Sequence, residues 1–142
     1  MERIEDCISF LSGKAAQAVA KAARERLAGH GVTPVQYAVL QLLWERDGQS
    51  AAGICSRLVL DSATITGVID RLEKLGLIAR SADGDDRRVN RLRLTDAGRA
   101  LQAPLQAAMD GLNATVSERL GADAPILWRL LRRLAAIQDK EA

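Results

Sequence analysis

Apolar residues fall into helical stripes over most of this chain, and into a two-residue alternation at one place. Ile4, Ile8, Leu11, Ala15, Val19 and Ala22 recur at three- and four-residue spacing, which predicts a long helix over residues 2–28 that Gly29-His30-Gly31 ends. Thr33-Pro34-Val35-Gln36 then has the form of a capping box with proline at the first helical position. A second helix starts there and runs to about Arg46, with Ala38, Val39, Leu42 and Leu43 inward. Ser50 is placed to cap a short helix over Ala51 to Leu58, and Val59-Leu60 turns into Asp61, the cap of the next. From Asp61 to Gly76 the stripe is Ile65, Val68, Ile69, Leu72 and Leu75; Gly76 suits a left-handed C-cap and Leu77 packs back on it. A short helix, a tight turn and a longer helix follow one another as in a helix-turn-helix.

The alternation comes next. Leu77 to Arg80 and Val89 to Leu94 flank the turn-rich segment Ser81 to Arg88, and Arg91 and Arg93 alternate with Leu92 and Leu94, so the two runs pair as a hairpin with one apolar and one cationic face. Thr95 caps a long helix reaching about Leu120, bent at Pro104 and weakened at Gly111. After Gly121, Asp123 is placed to cap a last helix. There Ile126, Leu127, Leu130, Leu131, Leu134 and Ile137 form a broad stripe opposite Arg129, Arg132 and Arg133. The expected fold is mainly α with a small β-wing, one domain over residues 1–142. A winged helix-turn-helix at 33–95 is flanked by N- and C-terminal dimerisation helices at 2–28 and 96–140. Those flanking stripes exceed what a small head can bury, and a two-fold homodimer is the economical way to cover them. Such a dimer would present two reading helices to successive major grooves of a pseudo-palindromic duplex.

Composition narrows the function. Of 142 residues, 48% are hydrophobic and 27% charged, ordinary for a folded globular domain. Phe10, Tyr37, Trp44 and Trp128 are too few and scattered for base-stacking platforms, which favours double-stranded DNA over single strands or RNA. The net charge is only +2, so phosphate contacts must come from local patches. One histidine and two cysteines, Cys7 and Cys55, supply neither a metal set nor a disulfide framework. No nucleophile–base spacing or phosphate-cradling loop is visible, so an enzyme is not expected, nor a cofactor. The charged first residues and the lack of a long apolar run point to a reduced, cytoplasmic location without a signal peptide or membrane anchor.

The helix after Asp61 opposes its apolar stripe with Ala63, Thr66, Gly67, Asp70 and Lys74, flanked by Ser62, Thr64 and Arg71. A small, hydroxylated face can approach a groove floor and bond base edges or phosphates. The arginines from Arg87 to Arg93 suit a wing along a phosphate backbone, with one guanidinium able to enter the minor groove. Candidate DNA contacts are Ser50, Ser62, Ala63, Thr64, Thr66, Gly67, Arg71, Lys74, Arg87 and Arg88.

In these motifs the chain resembles the MarR family of bacterial winged helix-turn-helix regulators. The matches are Thr33-Pro34-Val35-Gln36-Tyr37, Leu60-Asp61-Ser62-Ala63-Thr64-Ile65-Thr66, Asp70-Arg71-Leu72-Glu73-Lys74-Leu75-Gly76-Leu77, Asp86-Arg87-Arg88 and Leu94-Thr95-Asp96-Ala97-Gly98. The resemblance implies a repressor of transcription, with Ser62, Thr64 and Thr66 as groove and phosphate contacts. It makes Arg88 the wing arginine and Asp86 the acid that supports it. Gly67 departs from the long polar side chain many members carry there, which shifts weight to shape readout. A small aromatic or phenolic effector is implied in a cleft near Phe10, Tyr37 and Trp44. Leu42-Leu43-Trp44-Glu45 and the Leu60–Thr66 segment also resemble the family's organic-hydroperoxide sensors, which makes Cys7 a redox candidate. The tyrosines that hold the cysteine in those sensors are missing, Tyr37 being the single tyrosine.

Overall fold

The computed structural model describes residues 2–82, 84 and 90–138. A 3-10 turn at Ile4–Asp6 leads into α1 (Ile8–Leu27), and a second at Ala28–His30 closes it. There follow α2 (Pro34–Glu45), β1 (Gln49–Ser50), α3 (Ala51–Leu58), α4 (Ser62–Lys74), β2 (Ile78–Ala82), β3 (Asn90–Leu94), α5 (Asp96–Ala100), α6 (Gln102–Leu120) and α7 (Ala124–Ala135). The fold is mainly helical with a small antiparallel sheet in the order β1-β3-β2.

Helix starts follow the local sequence closely. Thr33 Oγ1 accepts from the Gln36 N–H at 3.3 Å while Gln36 Oε1 accepts from the Thr33 N–H at 3.0 Å. Ser50, Asp61 and Thr95 accept in the same way from Gly53, Thr64 and Gly98 at 3.1, 2.7 and 3.1 Å. Caps of this kind contribute about 1 kcal/mol each. At the far end of α4, Gly76 is left-handed at φ 72°. Its N–H donates to Glu73 O at 2.9 Å and the Leu77 N–H to Leu72 O at 3.0 Å, closing the helix and turning the chain into β2.

The core sits in the head. Val39, Leu40 and Leu43 of α2, Ile54 of α3, Ile65, Ile69 and Leu72 of α4, Ile78 of β2 and Leu92 of β3 pack around one centre. Leu27 of α1 and Leu105 of α6 complete it. Gln49 is buried too, and its amide donates to the carbonyls of Leu42 and Arg46, so no polar group is stranded there. The start of α5 is locked onto this head. Trp44 Nε1 donates to Gly98 O at 3.1 Å and Arg99 reaches Asp47 at 3.2 Å. A Cβ at position 98 would run into the Leu77 carbonyl oxygen, so only glycine fits.

Five details differ from the sequence expectation. α1 begins at Ile8 rather than residue 2, because Cys7 is extended at φ −78°, ψ 122°. The helix expected over 96–120 breaks at Leu101 instead of bending at Pro104. The proline ring presses on the carbonyl four residues earlier and has no N–H for it, so the break falls one turn ahead. β1 was not foreseen; two residues make a strand only because Gln49 and Ser50 pair with Leu92 and Arg91. Leu75 leaves the core at 52% exposed, since it stands at the end of α4 where the stripe runs out. Asp123 has helical dihedrals and its side chain makes no cap bond.

Outside the head the apolar stripes lie open. Residues 8–19 of α1 are exposed throughout, Ile8 and Leu11 among them, and so are Ile126, Leu130, Leu131 and Leu134 of α7.

Candidate nucleic-acid interface

α4 separates the two kinds of surface cleanly. Ile65, Val68, Ile69 and Leu72 are buried, while Ser62, Ala63, Thr64, Thr66, Gly67, Arg71 and Lys74 are all exposed. The sequence candidates on this helix therefore share one solvent face. Asp61 stands at its start, and the Thr64 amide followed by the Thr64 hydroxyl holds its carboxyl below the usual aspartate range. Thr64 Oγ1 donates to Asp61 at 2.8 Å and Thr66 Oγ1 to the Ser62 carbonyl at 2.7 Å. With those protons directed into the helix, both hydroxyls offer lone pairs outward, which suits a base amino group.

Gly67 is bare by choice of residue rather than by packing, for no atom lies within 4 Å of where its Cβ would be. Beside it, Thr33, Val35, Thr64 and Arg71 line an open depression of about 310 Å³ between α2 and α4. Arg71 and Lys74 then flank Gly31 and Thr33 in a second depression, so the cationic end of α4 adjoins the start of α2. Two cations beside the positive end of the α2 dipole form a local positive patch that the net charge does not disclose.

Arg80 of β2 was missed in the sequence. Its guanidinium donates to Asp70 at 2.6 Å and to Glu73 at 2.8 Å, and Asp70, then Glu73, hold its proton more tightly than usual. The contact ties β2 to α4 and neutralises two carboxylates next to the exposed face. Asp70 and Glu73 three residues apart, followed by an arginine in the next strand, would have been the signal.

On β3, Leu92 and Leu94 are buried and Arg93 is exposed, as alternation requires. The Arg93 guanidinium lies against Gly48, where a Cβ would be 2.9 Å from Nη1. Ser50 is partly exposed and pairs with Arg91 across the sheet, with its hydroxyl engaged as the α3 cap. Asp86, Arg87 and Arg88 lie outside the described residues.

The candidate effector residues divide. Tyr37 and Trp44 meet edge to face at 6.1 Å, Tyr37 Oη donates to Gln41 Oε1 at 3.4 Å, and Gln106 Nε2 donates to the same oxygen at 3.0 Å. Burial, then the charges of Asp110 and Glu45, raises the Tyr37 phenol above its ordinary value. Phe10 sits apart on the open half of α1, and Cys7 is half-exposed in the extended link ahead of it. Among the described residues no group of three or more His, Cys, Asp or Glu could hold a metal ion, and no single helix is long and apolar enough to cross a membrane.

Comparison with known proteins agrees with this geometry. Residues 32–89 match the model of the MarR family. The chain is 38% identical over 139 residues to the HTH-type transcriptional regulator TtmR of Methylorubrum extorquens, covering 98% of this chain and 69% of that protein. A probable transcriptional regulator from Pseudomonas aeruginosa has the same fold at TM-score 0.85 and 38% identity, over 93% of this chain and 99% of that one. CouR from Rhodococcus jostii RHA1, solved with p-coumaroyl-CoA, superposes at TM-score 0.84 and 28% identity over 96% and 95% of the two chains. CouR has also been solved as a transcriptional repressor on a 23-mer DNA duplex, matching at TM-score 0.83 and 30% identity over 95% and 96%. The chain therefore belongs to the MarR family, whose members are DNA-binding transcriptional regulators and not enzymes.

Proposed function

We propose that the protein acts as a homodimeric repressor that reads a pseudo-palindromic operator with α4 and is released by a small-molecule effector. The observation that carries this reading is the exposed face of α4, small and hydroxylated at its start and cationic at Arg71 and Lys74. The open apolar stripes of α1 and α7 support the dimer, since so much contiguous apolar surface is unusual on a monomer. CouR, solved both on duplex DNA and with p-coumaroyl-CoA, supports release by ligand. In this chain the effector cleft is assigned to Tyr37 and Trp44, with Phe10 contributing only if the dimer brings it there. A small aromatic or phenolic effector fits the edge-to-face ring pair, and its binding would reach the head through the Trp44–Gly98 hydrogen bond.

The test is binding of the purified protein to a duplex it selects from a random pool, measured over a salt series. Arg71→Ala is expected to weaken binding on every duplex and lower the salt slope by about one. Arg88→Ala is expected to cost on the order of 1–3 kcal/mol. Absence of sequence preference, or wild-type affinity in both variants, would overturn the proposal. An oxidation switch at Cys7 is the weaker reading, because Tyr37 is engaged with Gln41 and Trp44 on α2. Equal hydroperoxide response in wild type and Cys7→Ser would dispose of it.

A further inference from the structure

The turn between α3 and α4 takes a backbone conformation that its sequence does not favour. Val59 has φ 54° and ψ 48°, and among the described residues it is the one non-glycine at positive φ. Its N–H reaches Ser56 O at 3.4 Å and the Leu60 N–H reaches Cys55 O at 3.2 Å, the closure in which the left-handed position usually falls to glycine. A β-branched side chain there is a steric outlier. Nor does packing hold it: Val59 is 88% exposed, more than any other large hydrophobic among the described residues. Strain of this kind persists where function uses it, and nothing inside the chain benefits from this side chain.

Val59 stands on the rim of an open groove of about 630 Å³ between α3 and α4, with Ala51, Ala52 and Cys55 on one wall and Ser62 and Thr66 on the other. Ser62 and Thr66 belong to the exposed face of α4, so the groove continues that face. Among the described residues no cation lines it; Arg57 of α3 is paired with Glu45, and Arg71 and Lys74 lie toward the other end of α4. Most of its lining is apolar, Ala51, Ala52, Leu60 and Ile65 among it, so burying an apolar group gains more there than seating a charged one. We propose that Val59 is a specificity-determining residue that contacts the C5-methyl of a thymine, the apolar group the major groove displays. The inference rests on α4 facing DNA.

The test uses a duplex selected by the wild-type protein, with each thymine replaced in turn by deoxyuridine, which lacks the methyl. Val59→Gly and Val59→Asn both accept the left-handed backbone, so each is expected to melt higher than wild type. Each is also expected to bind the selected duplex about three- to ten-fold more weakly. At one thymine per half-site, deoxyuridine should weaken wild type by that same factor and leave the Val59→Gly complex unchanged. Wild-type affinity in Val59→Gly would overturn the proposal, and so would a loss that no deoxyuridine reproduces. Arg71→Ala separates the two levels. If it loses affinity while Val59→Gly does not, only the methyl contact fails; if neither does, the assignment of α4 fails first.

Discussion

Gly67 stands inside an exposed helix, where glycine costs roughly 1 kcal/mol against alanine. Because no atom crowds its missing Cβ, Gly67→Ala is expected to raise stability by about 0.5–1 kcal/mol in urea unfolding. If the glycine serves close approach to a groove floor, the same variant should bind the selected duplex several-fold more weakly, and undiminished binding would make the glycine incidental. Asp61 gives a second test at this scale. Its folded pKa lies below the ordinary aspartate value of 3.8, so its contribution is present above that pH and disappears as pH falls through the lower folded value. Asp61→Asn can cap without ionising. Melting curves below pH 4 should therefore show wild type losing part of its neutral-pH stability that the variant retains, and parallel curves would refute the cap's charge dependence. Both residues were legible in the sequence, since capping and helix periodicity are local. Val59 was legible only as a turn residue, because its left-handed backbone and exposure emerge once α3 and α4 are packed.

Between elements, the informative contact is Arg80 with Asp70 and Glu73. The arginine side chain is 35% exposed and its partners more so, which limits its worth to stability to at most about 1 kcal/mol. Its weight falls on geometry, since it holds β2 against α4 and masks two carboxylates beside the cationic end of the face. Arg80→Ala is expected to leave the urea midpoint nearly unchanged and weaken duplex binding several-fold; a large stability loss with intact binding would reverse that assignment. The pairing escaped the sequence because it depends on β2 folding back over α4. β1 escaped for the same reason, being made by long-range pairing with β3. The break at Leu101 is different: Pro104 announced it, and only its offset by one turn needed the structure.

For the whole molecule, the division is between a head with a buried core and arms whose apolar stripes face outward. Leu130 is 47% exposed in the single chain, and α7 is amphipathic with Arg129, Arg132 and Arg133 on its other side. Leu130→Glu is expected to turn a dimer into a monomer in sedimentation velocity. It should also reduce affinity for a duplex with two half-sites far more than for one half-site. A wild-type protein that sediments as a monomer at micromolar concentration would remove the dimer from the proposal. Between head and arms, Trp44 and Asp47 fasten the start of α5 to the end of α2, and Gly98 and Thr95 seat it on the Gly76-Leu77 turn that ends α4, so a shift of the arms has a short mechanical route to the exposed face.

Periodicity and capping, which act within a few residues, determined by themselves the helix order, the two-strand hairpin and the separation of α4 into a core face and an exposed face. They also sufficed to identify the surplus of apolar helix, while the family was legible from the resemblance of short motifs such as Leu60–Thr66 and Leu94–Gly98. Tertiary structure alone decided which exposed groups meet: Arg80 with Asp70 and Glu73, Trp44 with Gly98, the cationic end of α4 with the start of α2, and Val59 with the groove beside Ser62. Those juxtapositions join residues distant in sequence, or depend on a backbone conformation that the residue type disfavours, and no local pattern records either.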